Sequence, residues 1–264
     1  MKFFLRTTTI MLLLLSRTPA YAIQLNQAQS SQSRPQINQA CPQAFKHSLS
    51  GLYSIPDIHS DTIRQPIGDF DHLYSQAPQA QHELEVLCKS IALNTHTQPA
   101  FAGVKSQQRA KEKVEKKLNG QADRITDLAR ATIVAQDLPS LVRAYQQLHQ
   151  QASVLQVKNR FKTPAPSGYR DLKVLVQMPH SGLIAEVQFH LDEIAKIKSG
   201  EEHVLYEKIQ HIERTAMIEN RNLNEFEKSK VNQLRNQSLS LYHDVWQYYL
   251  TPPALEQAAL EQAA

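Results

Sequence analysis

Lys105, Arg109 and Lys113 recur every four residues, so on a helix they would stack along one face and could clamp a polyphosphate. Glu112 and Glu115 are interleaved with them, and a solvated charged face would show the same pattern. Asp127 precedes a β-prone run, Ala129 to Ala135. A carboxylate at a strand end suits Mg2+, which takes one or two carboxylates together with phosphate oxygens; an ordinary capping residue would look the same. Pro166-Ser167-Gly168-Tyr169-Arg170-Asp171 leads into an apolar strand, Leu172 to Val176. Gly168 permits a tight turn. Tyr169 then either emerges with an exposed ring that stacks on a base or is a core residue at the strand start. Strand alternation puts Glu186, Gln188 and His190 on one face, with Leu183, Ala185, Val187 and Phe189 on the other. A carboxylate in mid-sheet needs water, a ligand or a metal, because a buried unpaired charge is costly. The alternative is a sheet whose polar face meets solvent.

The elements that must position these side chains follow from periodicity and breakers. A helix is expected near 80–94, where Leu84, Val86, Leu87 and Ile91 share a face, and another across Val104 to Leu118, stopped by Asn119-Gly120. Pro139 starts a helix over 139–151. Strands are expected at 153–161, 171–177 and 183–189, the last two joined by a turn at Pro179, Ser181 and Gly182. Helices follow over Leu191 to Lys198, Glu201 to Ile218 and roughly 222–249. Only 7 of 264 residues are glycine, in keeping with a helix-rich chain. The order is helices, a small mixed sheet, then helices, which is an α+β plan.

Taken together and in this order, the run from Val104 to Gln210 resembles the synthetase domain of RelA/SpoT-type pyrophosphokinases, which transfer the β,γ-pyrophosphate of ATP to a 3′-hydroxyl. The resemblance rests on Lys105-Ser106-x-x-Arg109 with Lys113, then Ile125-Thr126-Asp127-Leu128-x-Arg130-Ala131-Thr132-Ile133-Val134. It continues through Ser167-Gly168-Tyr169-Arg170-Asp171-Leu172, Ala185-Glu186-Val187-Gln188 and Glu202-His203-x-x-Tyr206-Glu207. It implies a nucleotidyltransferase-like mixed sheet flanked by helices, with helical N- and C-terminal extensions. By the same resemblance Asp127 and Glu186 are the catalytic carboxylates and Mg2+ ligands, with Glu186 also the base for the attacking hydroxyl. Lys105, Arg109, Lys113 and Arg130 would bind ATP. Tyr169 would stack on the acceptor base, while Arg170, Lys162, Gln188 and His203 would reach the acceptor, a nucleotide or an RNA 3′ end. The chain departs from the family where Arg130 and Thr132 replace a glycine and an arginine after the aspartate. It departs again where Pro166-Ser167 replace lysine-asparagine, so the acceptor itself is not implied. No His-Asp metal motif of the family's hydrolase half is visible, and no alarmone hydrolysis is expected.

The N-terminus reads as a signal peptide over residues 1–22. Lys2 and Arg6 give a basic start, Ile10 to Leu15 an apolar run, and Ala20-Tyr21-Ala22 a cleavage site. The run is far short of the ~20 apolar residues that span a bilayer, so no stable membrane insertion is expected. Residues 23–40 read as a flexible linker, 41–102 as a helical N-terminal element, 103–218 as the synthetase-like domain and 219–264 as C-terminal helices. The two cysteines, Cys41 and Cys88, are expected to pair in an oxidising compartment. A net charge of +4 and a pI near 9.0 favour anionic partners such as nucleotides or RNA; no DNA partner is expected. Three readings follow. One is an exported, periplasmic or secreted pyrophosphokinase, acting as an effector or toxin. Another is a catalytically degenerate domain that binds a nucleotide or other anion without turnover. The third is a helical periplasmic interaction protein.

Overall fold

The computed structural model describes residues 49–60 and 62–251. The expected signal peptide, the linker, Cys41 with its pairing to Cys88, and the tail beyond Thr251 lie outside the described residues. In chain order the elements are α1 (Phe70–Thr95), β1 (Gln98–Phe101), α2 (Gln107–Lys117), β2 (Arg130–Ala135) and α3 (Leu138–Gln151). They continue with β3 (Ser153–Asn159), β4 (Leu172–Gln177), β5 (Ile184–Leu191), α4 (Asp192–Ser199), α5 (Glu201–Ile218) and α6 (Glu225–Leu250). The strands form one five-stranded sheet in the order β1-β2-β5-β4-β3, in which β2 and β5 run parallel and the other neighbours antiparallel. The α+β plan with a mixed sheet therefore holds.

Several boundaries differ from expectation for local reasons. Asp69 accepts a hydrogen bond from His72 N and caps α1, which starts the first helix ten residues before 80. The helix carries Pro78 inside it. β1 was not expected, because Pro99 is a poor strand residue; it is tolerated at the sheet edge, where one side of the strand has no ladder to join. The segment before residue 103 is thus not wholly helical, since it supplies the sheet with a strand. α2 begins only at Gln107, leaving Lys105 in the preceding turn. There the Lys105 amide bonds to Leu128 O at 2.9 Å, so the expected three-residue stack on one helix does not form.

One face of the sheet is apolar. Ala131, Ile133 and Ala135 of β2, Val187, Phe189 and Leu191 of β5, and Leu172, Val174 and Val176 of β4 are all buried. They form one core with Leu73, Leu84, Cys88 and Ile91 of α1 and Leu141, Ala144 and Leu148 of α3. Tyr145 of α3 meets Phe189 edge-on, ring centroids 6.3 Å apart. Each of the Val, Leu, Ile and Phe side chains among them contributes roughly 1.5–3 kcal/mol on burial. Cys88 is fully enclosed there, and burial, with Glu85 beside it, pushes its thiol up to about 12.

Two glutamines tie α1 and the chain before it to the strand mouths. Gln65, almost fully buried, donates to Ile125 O (2.8 Å) and Ile184 O (2.9 Å) and accepts from Ile184 N (2.9 Å). Gln81 of α1 accepts from Arg130 N (3.0 Å) and donates to Arg130 O (3.3 Å). On the other side, α6 supports the loop before β4. Trp246 packs on Phe161, centroids 5.7 Å apart, and the Arg170 guanidinium lies 4.6 Å from the Trp246 ring centroid. Gly168 has φ +84°, and a Cβ there would meet Leu239 Cδ1 at 3.0 Å and Tyr242 Cβ at 3.2 Å. Gly182 has a positive φ too, but nothing within 4 Å of an added Cβ. Gly182→Ala should therefore cost only the backbone penalty of about 1–2 kcal/mol. Gly168→Ala should cost about 1–3 kcal/mol more, as overpacked sites do, the excess being the clash with α6. Denaturant unfolding of both variants measures the difference.

Candidate active site

The face opposite the core is polar because the register of the central strands lines up their alternate residues. Arg130 is the partner of Glu186 and Thr132 the partner of Gln188 across the parallel pair. Lys173 is the partner of Gln188 across the antiparallel pair. The backbone of Glu186 also donates to Ala129 O at 3.0 Å, holding the approach to β2 against β5. This face opens into two adjoining cavities. One, about 300 Å³, is lined by Ala100, Ala102, Arg130, Ala131, Thr132 and Glu186; the other, about 460 Å³, by the loop between β3 and β4, Lys173 of β4, and residues of α5 and α6. Gln188 and Lys198 border both.

Each expected catalytic carboxylate is held by cations. Lys105 Nζ and Lys113 Nζ approach Asp127 at 3.1 and 2.9 Å. Burial by itself would raise the Asp127 carboxyl, yet the hydrogen bond and charge of Lys113 and the charge of Lys105 hold it below the ordinary carboxylate range. Glu186 is 8% exposed; Lys173 Nζ lies 2.8 Å from its Oε2, and Gln188 Nε2 donates to its Oε1 at 2.7 Å. Among the described residues no group of three or more His, Cys, Asp or Glu side chains is placed to hold a metal ion.

Tyr169 is not the exposed ring that one sequence reading allowed. Its hydroxyl donates to Asp171 Oδ2 at 2.9 Å and lies 2.7 Å from His190 Nε2. The ring meets His190 and Tyr242 edge-on, centroids 5.9 and 5.6 Å away. Burial and the neighbouring Asp171 carboxylate push the phenol far above its usual range. Asp171, 1% exposed, also takes Arg160 at 2.6 Å. His190 is 2% exposed; burial, then Lys198 and Arg160, push it down to about 3. A neutral ring that donates through Nε2 to the tyrosine oxygen, while the tyrosine proton goes to Asp171, satisfies every member of this chain.

The remaining expected residues divide. Arg130, Gln188 and Tyr169 border the cavities, and His203 lies at the larger one with Glu207 at 3.2 Å. Arg109 is exposed on α2, and Lys162 is exposed in the loop after β3. Arg170 points away: it donates to Phe161 O at 2.8 Å and covers Trp246, and desolvation lowers its pKa. Neighbours along a strand entry face opposite ways, so Tyr169 and Asp171 can share the site only if Arg170 does not.

Residues 103–211 match the family described as "Region found in RelA / SpoT proteins". The chain carries a RelA/SpoT-type domain. Its fold is similar to that of small alarmone synthetase 2 from Bacillus subtilis, at 18% identity and TM-score 0.52, over 74% of this chain and 100% of that one. It is similar as well to the crystal structure of the complex between the Type VI effector Tas1 and its immunity protein. There the identity is 20% and the TM-score 0.51, over 67% of this chain and 96% of that chain. No curated protein sequence matches the chain.

Within the RelA/SpoT-type domain the structure adds side chains to which sequence reasoning assigned no role, Glu202 having been noted only as part of a motif. Lys173 is two residues beyond Asp171, which directly precedes β4, so alternation could have found it. Arg160 reaches the site through its ion pair with Asp171, and Glu202 through α6, accepting from Ser238 Oγ at 3.0 Å and Tyr242 OH at 3.1 Å. Neither pairing has a sequence signal. The depressed His190 gives a testable pH dependence. Its folded pKa lies below its unfolded value, so between about pH 3 and 6.5 the unfolded chain binds more protons and stability rises with pH. The slope approaches roughly 1.4 kcal/mol per pH unit. In a comparison of denaturant unfolding across that window, His190→Gln should remove this part of the slope.

Proposed function

We propose that the chain is an exported pyrophosphokinase that moves the β,γ-diphosphoryl group of ATP to the 3′-hydroxyl of a nucleotide or an RNA 3′ end. The observation that carries this reading is the pair of adjoining cavities that share Gln188 and Lys198, one on the β1/β2 side and lined by Glu186, the other on the α5/α6 side. That arrangement suits a donor and an acceptor that meet at this border, with Glu186 bonded to Gln188 there. Small alarmone synthetase 1 from Bacillus subtilis has been crystallised with AMPCPP and with its product pppGpp, ligands of the same chemical class.

In the transfer, the bond between the α–β bridging oxygen and the β-phosphorus breaks, and AMP leaves with that oxygen. The acceptor 3′-oxygen forms the new bond to the β-phosphorus, and its proton passes to Glu186, which returns it to solvent. Such chemistry depends on positioning and charge stabilisation more than on covalent help from the protein. Asp127 and Glu186 already hold ammonium groups at 2.8 to 3.1 Å, and a pair of carboxylates completed by phosphate oxygens is the donor set Mg2+ prefers. They would hold that ion, which neutralises phosphate charge. When the phosphates arrive, Lys105 and Lys113 exchange a carboxylate partner for phosphate oxygens, with Arg109 at the rim and Arg130 in the donor cavity. Gln188 keeps the Glu186 carboxylate oriented toward the acceptor oxygen.

The mature chain from residue 23, given Mg2+ and ATP labelled in its β,γ-phosphates, should transfer label to one of GDP, GTP, ADP, ATP or deacylated tRNA. Glu186→Gln should slow transfer by about 10²- to 10⁴-fold, the usual worth of a general base. ATP binding without transfer by the folded wild-type protein would favour the degenerate, anion-binding reading, for which Arg130 and Thr132 are the motivating departures. Export is a separate part of the proposal. Residues 1–40 fused to a reporter active only outside the cytoplasm should yield activity, and Leu13→Arg, which breaks the apolar run, should abolish it.

A further inference from the structure

Lys198 sits in the last turn of α4 and borders both cavities, yet no motif or strand alternation points to it. Among the other lysines, Lys173, at the larger cavity, is held by Glu186, and Lys105 and Lys113, which line neither cavity, are held by Asp127. Among the described residues Lys198 has no ion pair. Its Nζ donates to the neutral Gln188 Oε1 at 3.1 Å and lies 5.3 Å from the Tyr169 ring centroid. It is also 3.5 Å from His190 Nε2, at the outer limit of hydrogen-bond range, and that nitrogen accepts from Lys198 only in the tautomer that leaves it unprotonated. An ammonium has three N–H donors, and at least one is left without a partner among the described residues. Burial lowers its pKa, against the opposing charges of Asp171 and Glu186. A partly desolvated cation with an idle donor is complete only when an anion joins it.

We propose that Lys198 is a catalytic residue that binds the diphosphoryl group as it passes from the donor cavity to the acceptor cavity. This rests on the pyrophosphokinase reading of the same site, and it assigns the shared border of the two cavities to a diphosphate. The ammonium of Lys198 donates to non-bridging oxygens on the transferred group while the bond to the bridging oxygen breaks and the bond to the 3′-oxygen forms. Its own protonation does not change. Gln188 couples the two roles, since it accepts from Lys198 and donates to Glu186. The cation that holds the group and the carboxylate that activates the nucleophile are therefore set by one side chain.

The test compares wild type, Lys198→Met, Lys198→Gln and Lys198→Arg, each checked for its melting temperature. The Gln variant stands in if the Met variant does not fold. Inorganic pyrophosphate with Mg2+ is titrated into each by calorimetry. Its affinity should fall about 10- to 100-fold in the Met or Gln variant and be largely kept in the Arg variant, as for loss of a charge-assisted contact. In the transfer assay kcat should fall about 10²- to 10³-fold, as for removal of a group that stabilises developing charge, with KM for ATP little changed. Unchanged pyrophosphate affinity in a folded Met or Gln variant overturns the inference. Pyrophosphate binding that depends on Lys198 in a wild-type protein inactive toward every acceptor would support the anion site while removing the pyrophosphokinase reading.

Discussion

The parallel pairing of β2 with β5 is the constraint on which the site depends. It sets Arg130 beside Glu186 and Thr132 beside Gln188, and it brings the chain at Asp127 to the mouth from which Glu186 projects. A tight turn cannot join parallel strands, so the chain passes through α3, β3 and β4 before it returns as β5. The detour is useful in itself, because β4 arrives antiparallel to β5 and contributes Lys173, with Asp171 at its entry, to the same cavity. Gln65 then bonds the strand mouths together through Ile125 and Ile184.

Charge near the strand mouths is balanced in pairs. Lys105 and Lys113 neutralise Asp127, and Lys173 neutralises Glu186, which offsets the cost of desolvating two partly buried carboxylates. Under the proposed function, phosphates would replace the carboxylates as partners of the lysines, and a cation would replace the lysines on the carboxylates. Desolvation makes an uncompensated charge expensive here, which would favour a complete exchange over a partial one.

A different solution operates under the loop that carries Tyr169. Asp171, Tyr169 and His190 form a buried chain of hydrogen bonds closed by Arg160, and α6 packs against it through Leu239, Tyr242 and Trp246. Rigid support of this kind keeps the polar residues of β4 and β5 at fixed spacing. It also explains why the C-terminal helix belongs to the site's architecture although it supplies few of its polar groups.

Much of this protein was legible in its residues taken in order. Period-2 alternation placed Glu186, Gln188 and His190 on one face, the helical spacing of Leu141, Tyr145 and Leu148 marked α3, and Gly168 marked a turn that requires positive φ. The ordered motifs from Lys105 to Tyr206 pointed to the RelA/SpoT family. These signals are local, since each depends on a backbone period or on one residue's allowed dihedral angles. Tertiary structure alone decided which charges meet: Lys105 and Lys113 on Asp127, Lys173 on Glu186, Arg170 on Trp246. It alone closed the ring of Tyr169 between His190 and Tyr242 and carried Lys198 to the border of two cavities. The reason is physical. Strand alternation fixes the face of a side chain, but its partner comes from another strand or helix, and register and packing choose among partners that look alike in sequence.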